Sequence, residues 1–134
     1  MPMKPLLAGP PAAEPRRGEI YEINLDPAKG REQKGRRYCL VVSGDPMNAS
    51  GLGTAIVCPM TTRYKPSFKW RTKLEAADIE VVDASWRAET SYVQTDQLLT
   101  LDVEEGRFLR HVGTVRSRSK LADITQWIYR MFAP

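Results

Sequence analysis

Short apolar runs separated by turn residues dominate this chain of 134 residues, and they restrict it to a small β-rich fold. From Glu19 to Leu25 apolar and polar residues alternate, so Tyr21, Ile23 and Leu25 share one face of a half-buried strand. The run 38–42 is apolar throughout, which is typical of a strand covered on both faces. Further strand candidates of similar length are Thr54 to Met60, ending near Pro59, Ile79 to Val82, Ser91 to Thr95, and Leu98 to Leu101.

One stretch near the C-terminus has helical spacing, with Ser119 as its predicted N-cap. A shorter helical turn is predicted over 46–49, after a turn sequence. Many short strands followed by one amphipathic helix predict a mainly β protein, a small and partly open antiparallel barrel with the helix packed on it. The apolar residues of that helix are Leu121, Ile124, Ile128 and Met131, with Trp127 beside them.

The length predicts a single domain with one proper core. Residues 1–16 contain five of the ten prolines, so we expect a disordered or extended tail there and a folded domain over 17–134. No segment approaches the roughly 18 consecutive apolar residues of a membrane span. The stretch Leu6-Leu7-Ala8 is too short for the core of a signal peptide. We therefore expect a cytoplasmic protein with no membrane partner.

The two cysteines, Cys39 and Cys58, each lie inside an apolar run, which predicts two buried small hydrophobic side chains. They do not form a C-x-x-C pair, and His111 is the only histidine, so the sequence argues against a zinc site. No carboxylate or histidine motif suggests another metal. We accordingly expect neither a metal nor a cofactor.

The segment 26–37 lies between two predicted strands and is rich in cations. Gly30 and Gly35 make its backbone permissive, so we expect a mobile basic loop on a rigid sheet. Such a loop suits a polyanion better than a small neutral ligand. The alternative is a solvated hairpin loop, because runs of charge usually face solvent. Its cations are Lys29, Arg31, Lys34, Arg36 and Arg37.

A second basic stretch, 63–71, interleaves aromatic residues with cations. Aromatic rings stack on unpaired bases while cations follow phosphates, so this stretch is a candidate RNA-binding surface. The alternative is that Phe68 and Trp70 alternate into the core as strand residues, which we expect for one of them. Tyr64 and Lys65 are then the better candidates for contacting RNA.

The order and spacing of several motifs resemble the MazF/PemK (Kid) toxins, small ribonucleases of bacterial toxin–antitoxin pairs. The resemblance covers roughly 17–132. It implies an SH3-like barrel, a homodimer, an acidic MazE-like antitoxin, and cleavage of single-stranded RNA without metal through a 2′,3′-cyclic phosphate. The motifs are Gly18-Glu19-Ile20-Tyr21, Asp26-Pro27, Gly30, Glu32-Gln33, Gly35, Arg37, Asn48, Cys58-Pro59-Met60-Thr61-Thr62 and Asp96-Gln97.

The resemblance implies that Arg37 and Thr61 are catalytic. Arginine is effectively never deprotonated, so Arg37 is assigned to phosphate binding, charge stabilisation and proton delivery, not to base catalysis. Thr61 would hold the phosphate or orient the 2′-hydroxyl. Glu32 and Asp96 are candidate bases, and each has a structural alternative: Glu32 pairs with a cation, or Asp96 holds a turn. The expected substrate-binding residues are Lys29, Arg31, Gln33, Lys34, Arg36, Arg63, Tyr64, Lys65 and Gln97.

Three departures from the family pattern leave alternatives open. Arg31 and Gln94 stand where Kid-like members have a histidine and an arginine, and 102–107 replaces a basic segment of other members. CcdB-type toxins, which share the fold, bind DNA gyrase and are not catalytic, so a gyrase-binding toxin is one alternative. An inactive RNA-binding module is another.

Overall fold

The computed structural model describes residues 14–26, 34–104 and 106–133. This part of the chain contains eight strands, two α-helices and two short 3₁₀ turns, at Ala76–Asp78 and Thr95–Gln97. The strands are β1 (Glu19–Asn24), β2 (Arg36–Val41), β3 (Thr54–Thr61), β4 (Thr72–Leu74), β5 (Ile79–Val81), β6 (Ser91–Val93), β7 (Leu99–Asp102) and β8 (Phe108–Val115); the helices are α1 (Asp45–Asn48) and α2 (Arg118–Phe132).

The strands form one curved sheet with the order β4-β6-β3-β2-β1-β8-β5, and β7 pairs with β3 beside this path. Every described pair is antiparallel. Such connections need only short turns, which fits the short runs of the sequence. The mainly β fold with one long C-terminal helix confirms the predicted architecture.

Side chains from the two faces of the central strands enter two separate cores. Leu40 packs in one cluster with Ile20, whereas Cys39 and Val41 pack in the other with Tyr21. The strand predicted to be covered on both faces is therefore confirmed. Full burial of one such aliphatic side chain stabilises the fold by about 1.5–3 kcal/mol.

Helix α2 packs against β4 and against the core that contains Ile20. Ile124 is 1% exposed, and Asp123 accepts a hydrogen bond from the Thr72 hydroxyl at 2.6 Å. Its N-cap is Ser117, whose Oγ accepts from the Lys120 N–H at 3.3 Å. The prediction of Ser119 as the cap is wrong by two residues, because the helix already begins at Arg118.

Two predictions about strands are corrected by the structure. Strand β3 does not end near Pro59 but continues to Thr61, and the Pro59 carbonyl accepts from the Gln94 N–H at 2.9 Å. Residues 63–71 form no strand, so neither Phe68 nor Trp70 enters the core as a strand residue.

Strand β8 was not predicted, although it is one of the two longest described strands. Its pairing with β1 shifts register twice, between Ile20 and Tyr21 and between Glu22 and Ile23. Such irregularities interrupt the alternation of faces, so Phe108 and Val112 enter different cores. The sequence consequently lacks the period of two that identifies a strand.

The N-terminal boundary of the ordered domain stays a prediction, since residues 1–13 lie outside the described residues. Pro15, which falls within the predicted tail, is fully buried, and the Arg17 N–H donates to Asp45 Oδ1 at 2.8 Å. Neither described helix combines the length and apolar character that a membrane crossing requires.

Candidate active site

Arg37 and Thr61 lie at the same end of the sheet, on neighbouring strands. Arg37 is the second residue of β2 and Thr61 is the last residue of β3. Cys39 pairs with Pro59 in the antiparallel register, and continuing that register by two residues places position 37 opposite position 61. The strand pairing therefore brings the two predicted catalytic residues together, although they lie 24 positions apart in the chain.

The Arg37 side chain is exposed and only lightly held. Its Nε donates to the Lys34 carbonyl at 3.4 Å, and no other described residue accepts a hydrogen bond from its guanidinium. The terminal nitrogens are the ones that bind two oxygens of a phosphate together. Within the described part of the chain, that edge of Arg37 faces no protein acceptor.

Thr61 presents a hydroxyl whose oxygen already accepts a hydrogen bond. The Arg63 N–H donates to Thr61 Oγ at 3.2 Å, in a tight turn just after β3. A hydroxyl carries one proton that it can donate. Because the backbone amide occupies one lone pair of the oxygen, the Thr61 hydroxyl is positioned to donate its proton to another oxygen.

The base of the basic loop is fastened to the sheet. Asp26 Oδ1 accepts from the Gly35 N–H at 2.9 Å, and the Leu25 N–H donates to the Gly35 carbonyl at 2.9 Å. Gly35 has φ of +75°, a conformation that favours glycine. Arg107 Nη1 donates to the carbonyls of Asn24 and Asp26 at 3.2 and 3.1 Å. These contacts fix the backbone from which Arg37 projects.

Sequence reasoning identified the segment of Arg107 only as a departure from the family pattern. Its anchoring role depends on contacts more than 80 positions away in the chain, which no local pattern reveals. Lys34 and Arg36 are exposed beside Arg37. Four predicted site residues, Lys29, Arg31, Glu32 and Gln33, lie outside the described residues.

Asp96 is held in a dense set of hydrogen bonds. Arg71 donates to both of its carboxylate oxygens at 2.9 Å, and Trp70 Nε1 and Gln97 Nε2 donate at 2.9 and 3.3 Å. Partial burial pushes the pKa of Asp96 up, but the hydrogen bonds from Arg71 and Trp70 outweigh it and bring the pKa to about 2. A weakly basic carboxylate with its oxygens occupied fits the structural alternative, in which Asp96 holds a turn.

Segment 63–71 presents stacked rings and cations. Tyr64 is 66% exposed, with its ring centroid 5.3 Å from that of Tyr92. The Phe68 and Trp70 rings stack with centroids 5.0 Å apart, and Lys65 Nζ lies 5.5 Å from the Phe68 centroid. Tyr64 thus offers an accessible ring, and Arg63 and Lys65 are both exposed next to it in the chain.

An open cavity of about 310 Å³ adjoins Thr61. Sequence reasoning did not single out Trp86, which forms one of its walls, because the short stretch around Trp86 has no periodic pattern. Of the predicted site residues that the structure describes, Thr61 alone lines this cavity. The lining residues are Tyr38, Met60, Thr61, Thr62, Ser85, Trp86, Arg87, Glu89 and Ser91.

Both cysteines are fully buried, which confirms their prediction as small hydrophobic residues. Burial raises the pKa of both the Cys39 and the Cys58 thiol to about 12, so neither thiol is a nucleophile at neutral pH. Among residues 14–26, 34–104 and 106–133, no three histidine, cysteine or acidic side chains come together as a metal site.

Comparison with known proteins gives a consistent result. Residues 16–132 match the family described as the PemK-like, MazF-like toxins of type II toxin–antitoxin systems. The chain is 34% identical over 116 residues to endoribonuclease MazF9 of Mycobacterium tuberculosis, covering 83% of this chain and 90% of that protein.

Solved structures share the fold. MazF from Deinococcus radiodurans superposes with a TM-score of 0.68 at 25% identity, covering 89% of this chain and 96% of that one. A chain of a MazE–MazF complex from the same organism superposes with a TM-score of 0.65 at 21% identity, covering 89% of this chain and 96% of that one. The matched family spans nearly all of the described chain, including both Arg37 and Thr61. The chain therefore belongs to the PemK-like, MazF-like toxins of type II toxin–antitoxin systems, a family whose curated relatives matched here are named endoribonucleases.

Proposed function

We propose that this toxin is a sequence-specific, metal-independent endoribonuclease that cuts single-stranded RNA. The observation that carries the proposal is the position of Arg37 and Thr61 at the same end of two neighbouring strands, with Thr61 lining an open cavity. One residue supplies a planar donor fork and the other a hydroxyl proton, and both suit the oxygens of one phosphate.

In the proposed reaction the ribose 2′-hydroxyl attacks the neighbouring phosphorus. The bond from O2′ to phosphorus forms, and the bond from phosphorus to O5′ breaks. A base takes the 2′-hydroxyl proton, and an acid protonates O5′, which leaves a 2′,3′-cyclic phosphate and a 5′-hydroxyl. Because the nucleophile belongs to the substrate, the protein has to position the phosphate and stabilise its developing charge.

Arg37 is proposed to donate two hydrogen bonds to the non-bridging oxygens and to stabilise the charge that develops on them. In this scheme it also passes a proton to O5′ and regains one at once from solvent, so the guanidinium remains protonated between turnovers. The Thr61 hydroxyl donates to the same phosphate or orients the 2′-hydroxyl. Both roles need groups fixed before the substrate arrives, and the contacts of Gly35 and of Thr61 Oγ support that.

The base is proposed to be Glu32, which belongs to the basic loop. The other candidate, Asp96, has a pKa of about 2 and shares its oxygens with Arg71, Trp70 and Gln97. A general base works best with a pKa near the operating pH, so Asp96 is the poorer choice.

RNA is proposed to run from the basic loop to segment 63–71. Lys34 and Arg36 would contact phosphates near Arg37, together with Lys29, Arg31 and Gln33. Tyr64 would stack on an unpaired base, with Arg63, Lys65 and Gln97 nearby. The exposure of Tyr64 and its neighbouring cations supports this path.

An acidic MazE-like antitoxin is proposed to cover the same cationic surface. A MazE–MazF complex is among the solved structures that share this fold, which supports a MazE-like partner. A homodimer is also proposed, in the cytoplasm. Its support is the exposed apolar end of α2, where Tyr129, Met131 and Phe132 are 68%, 39% and 77% exposed.

The test is to digest one RNA and a copy that carries a single 2′-deoxy substitution at the cut. We expect the unmodified RNA to be cut in EDTA and to yield a 2′,3′-cyclic phosphate. The copy with the 2′-deoxy substitution should remain intact. Cleavage of the deoxy copy at the same site, or strict dependence on magnesium, would contradict the mechanism. Inhibition of DNA gyrase by this protein, with no cleavage of RNA, would support the CcdB-type alternative.

A further inference from the structure

We propose that the cavity beside Thr61 binds one unstacked nucleobase next to the scissile phosphate and thereby sets the cleavage motif. This inference rests on the proposed ribonuclease function. The cavity, about 310 Å³, lies near the lower end of the range for small-ligand sites, so it suits one base and not a longer segment.

The cavity and the catalytic pair share Thr61. Thr61 lines the cavity, whereas Arg37 and the cavity residue Tyr38 are consecutive in β2 and so point to opposite faces of the sheet. Because Thr61 belongs to both, a phosphate held by Arg37 and Thr61 would leave an attached nucleotide within reach of the cavity. Phosphate contacts fix the position of a nucleic acid, whereas contacts to base edges select its sequence.

Two aromatic side chains form the walls. The Tyr38 and Trp86 ring centroids are 5.5 Å apart, with the ring planes tilted by 50°. Trp86 lies against Gly113 of β8, where an added Cβ would come within 2.8 Å of the indole. The glycine thus permits the close approach of Trp86 to the sheet. Proteins that read single-stranded RNA commonly stack its bases on such rings.

The rim of the cavity carries one positive and one negative side chain, and neither is paired with another described residue. Arg87 and Glu89 are exposed, and neither forms a hydrogen bond or ion pair with another described residue. A guanidinium donates and a carboxylate accepts, so together they match the mixed edge of a nucleobase. Ser91, at 6% exposure, also lines the cavity, and its buried hydroxyl has no partner among the described residues.

The wall around Trp86 is fixed from behind. Arg110 of β8 donates to Asp83 Oδ2 at 2.8 Å, to Ser85 Oγ at 2.7 Å and to Glu22 Oε1 at 2.9 Å. The N–H groups of residues 82 and 83 donate to the Val112 carbonyl at 2.9 and 3.2 Å. A wall held in this way is organised before RNA binds, which favours selective binding.

The experiment compares cleavage motifs by sequencing the ends produced from a randomised RNA pool. The variants are Glu89→Gln, Arg87→Gln and Trp86→Phe. Glu80→Gln is the matched control, because Glu80 is exposed, pairs with Arg116, and does not line the cavity. Glu89 and Arg87 are exposed, so their variants are expected to fold normally, and melting curves check this.

We expect the preference at one position of the motif to fall about tenfold in the Glu89 and Arg87 variants, with the other positions unchanged. Trp86→Phe should weaken substrate binding, raising KM more than it lowers kcat, and the Glu80 control should match the wild type. If the wild type cuts at a defined motif and all three variants keep every position of it, the cavity proposal is wrong while the ribonuclease stands. If the wild type cuts no RNA, both proposals fail.

Discussion

The end of the sheet that carries Arg37 (the Arg37 end) and the 3₁₀ turn that carries Asp96, with its partner Arg71 (the Asp96 corner), both contain an arginine, but only at the Asp96 corner is that arginine paired with a carboxylate within the described structure. At the Asp96 corner, Arg71 is 9% exposed and donates to a carboxylate that is 24% exposed, so the charges neutralise each other. At the Arg37 end, the guanidinium is exposed and only Nε has a described acceptor. An arginine whose donors are satisfied within the fold stabilises the fold, whereas one whose fork is free can serve an external phosphate.

The family resemblance implies a role in the reaction for both Asp96 and Arg37, but their contacts differ: those of Asp96 are typical of a structural residue, and those of Arg37 leave it able to bind a substrate. Asp96 and Arg37 both belong to matching motifs, yet only Arg37 retains hydrogen-bonding capacity among its described contacts.

The largest effect is expected for Arg37→Ala. Removing one preorganised charge stabiliser costs about 100- to 1000-fold in rate, so cleavage should nearly vanish. The melting temperature should stay within a degree or so, because the side chain is exposed and its described contact is a single long hydrogen bond. Arg37→Lys should also be poor, since lysine lacks the planar fork. Single-turnover cleavage and thermal unfolding measure the two quantities. A large loss of stability would show that Arg37, like Arg71, mainly stabilises the fold.

A loss of stability is expected for Asp96→Ala. The substitution leaves Arg71 without its partner and removes hydrogen bonds to a charged group, which costs about 2 kcal/mol. For a chain of this size that corresponds to a fall in Tm of roughly 6–10 °C. Activity per folded molecule should fall by less than about tenfold, because the carboxylate is not the proposed base.

The matching variant Asp96→Asn keeps the size of the side chain and sharpens this test. A loss of more than about 100-fold in rate with unchanged melting behaviour would show that Asp96 acts in the chemistry. The comparison between the two regions would then have to be abandoned.

A moderate effect is expected for Thr61→Ala. Loss of one hydrogen bond to a charged phosphate is worth about 1.5 kcal/mol, or roughly tenfold in rate. Thr61→Ser keeps the hydroxyl and the acceptor for the Arg63 N–H, so it should lose less. Single-turnover rates on one RNA compare the two variants. Equal losses would assign Thr61 a packing role in place of a hydrogen-bonding one.

The smallest effect concerns acid stability. The folded pKa of Asp96, about 2, lies below its ordinary value near 3.9. The ionised Asp96 therefore stabilises the fold above about pH 4, and this contribution is lost as the pH falls from about 4 to 2. In Asp96→Asn this part of the pH dependence should be missing. Urea unfolding at pH 3 and pH 6 measures the free energy of unfolding of both proteins. If this free energy changes equally between the two pH values in the wild type and in Asp96→Asn, Asp96 does not contribute to the acid sensitivity.

Several parts of the fold and site were predictable because they depend on neighbours in the chain. The alternation at Tyr21 and Ile23 predicts a strand, and both residues are buried in one core. The continuous run 38–42 predicts burial on both faces, which the two cores confirm. Arg37 and Thr61 were selected through motifs, and the strand register then places their positions opposite each other.

The sequence by itself determined the mainly β class, the C-terminal helix and the two residues proposed for phosphate chemistry, since apolar period and motif spacing are local properties. Only the tertiary structure decided which charges are used within the fold. Arg71 meets Asp96 across 25 positions, Arg110 anchors the Trp86 wall across 25 to 27, and Arg107 fastens the basic loop across more than 80. Strand register and bulges determine those encounters, because they set which side chains share a face and an end of the sheet.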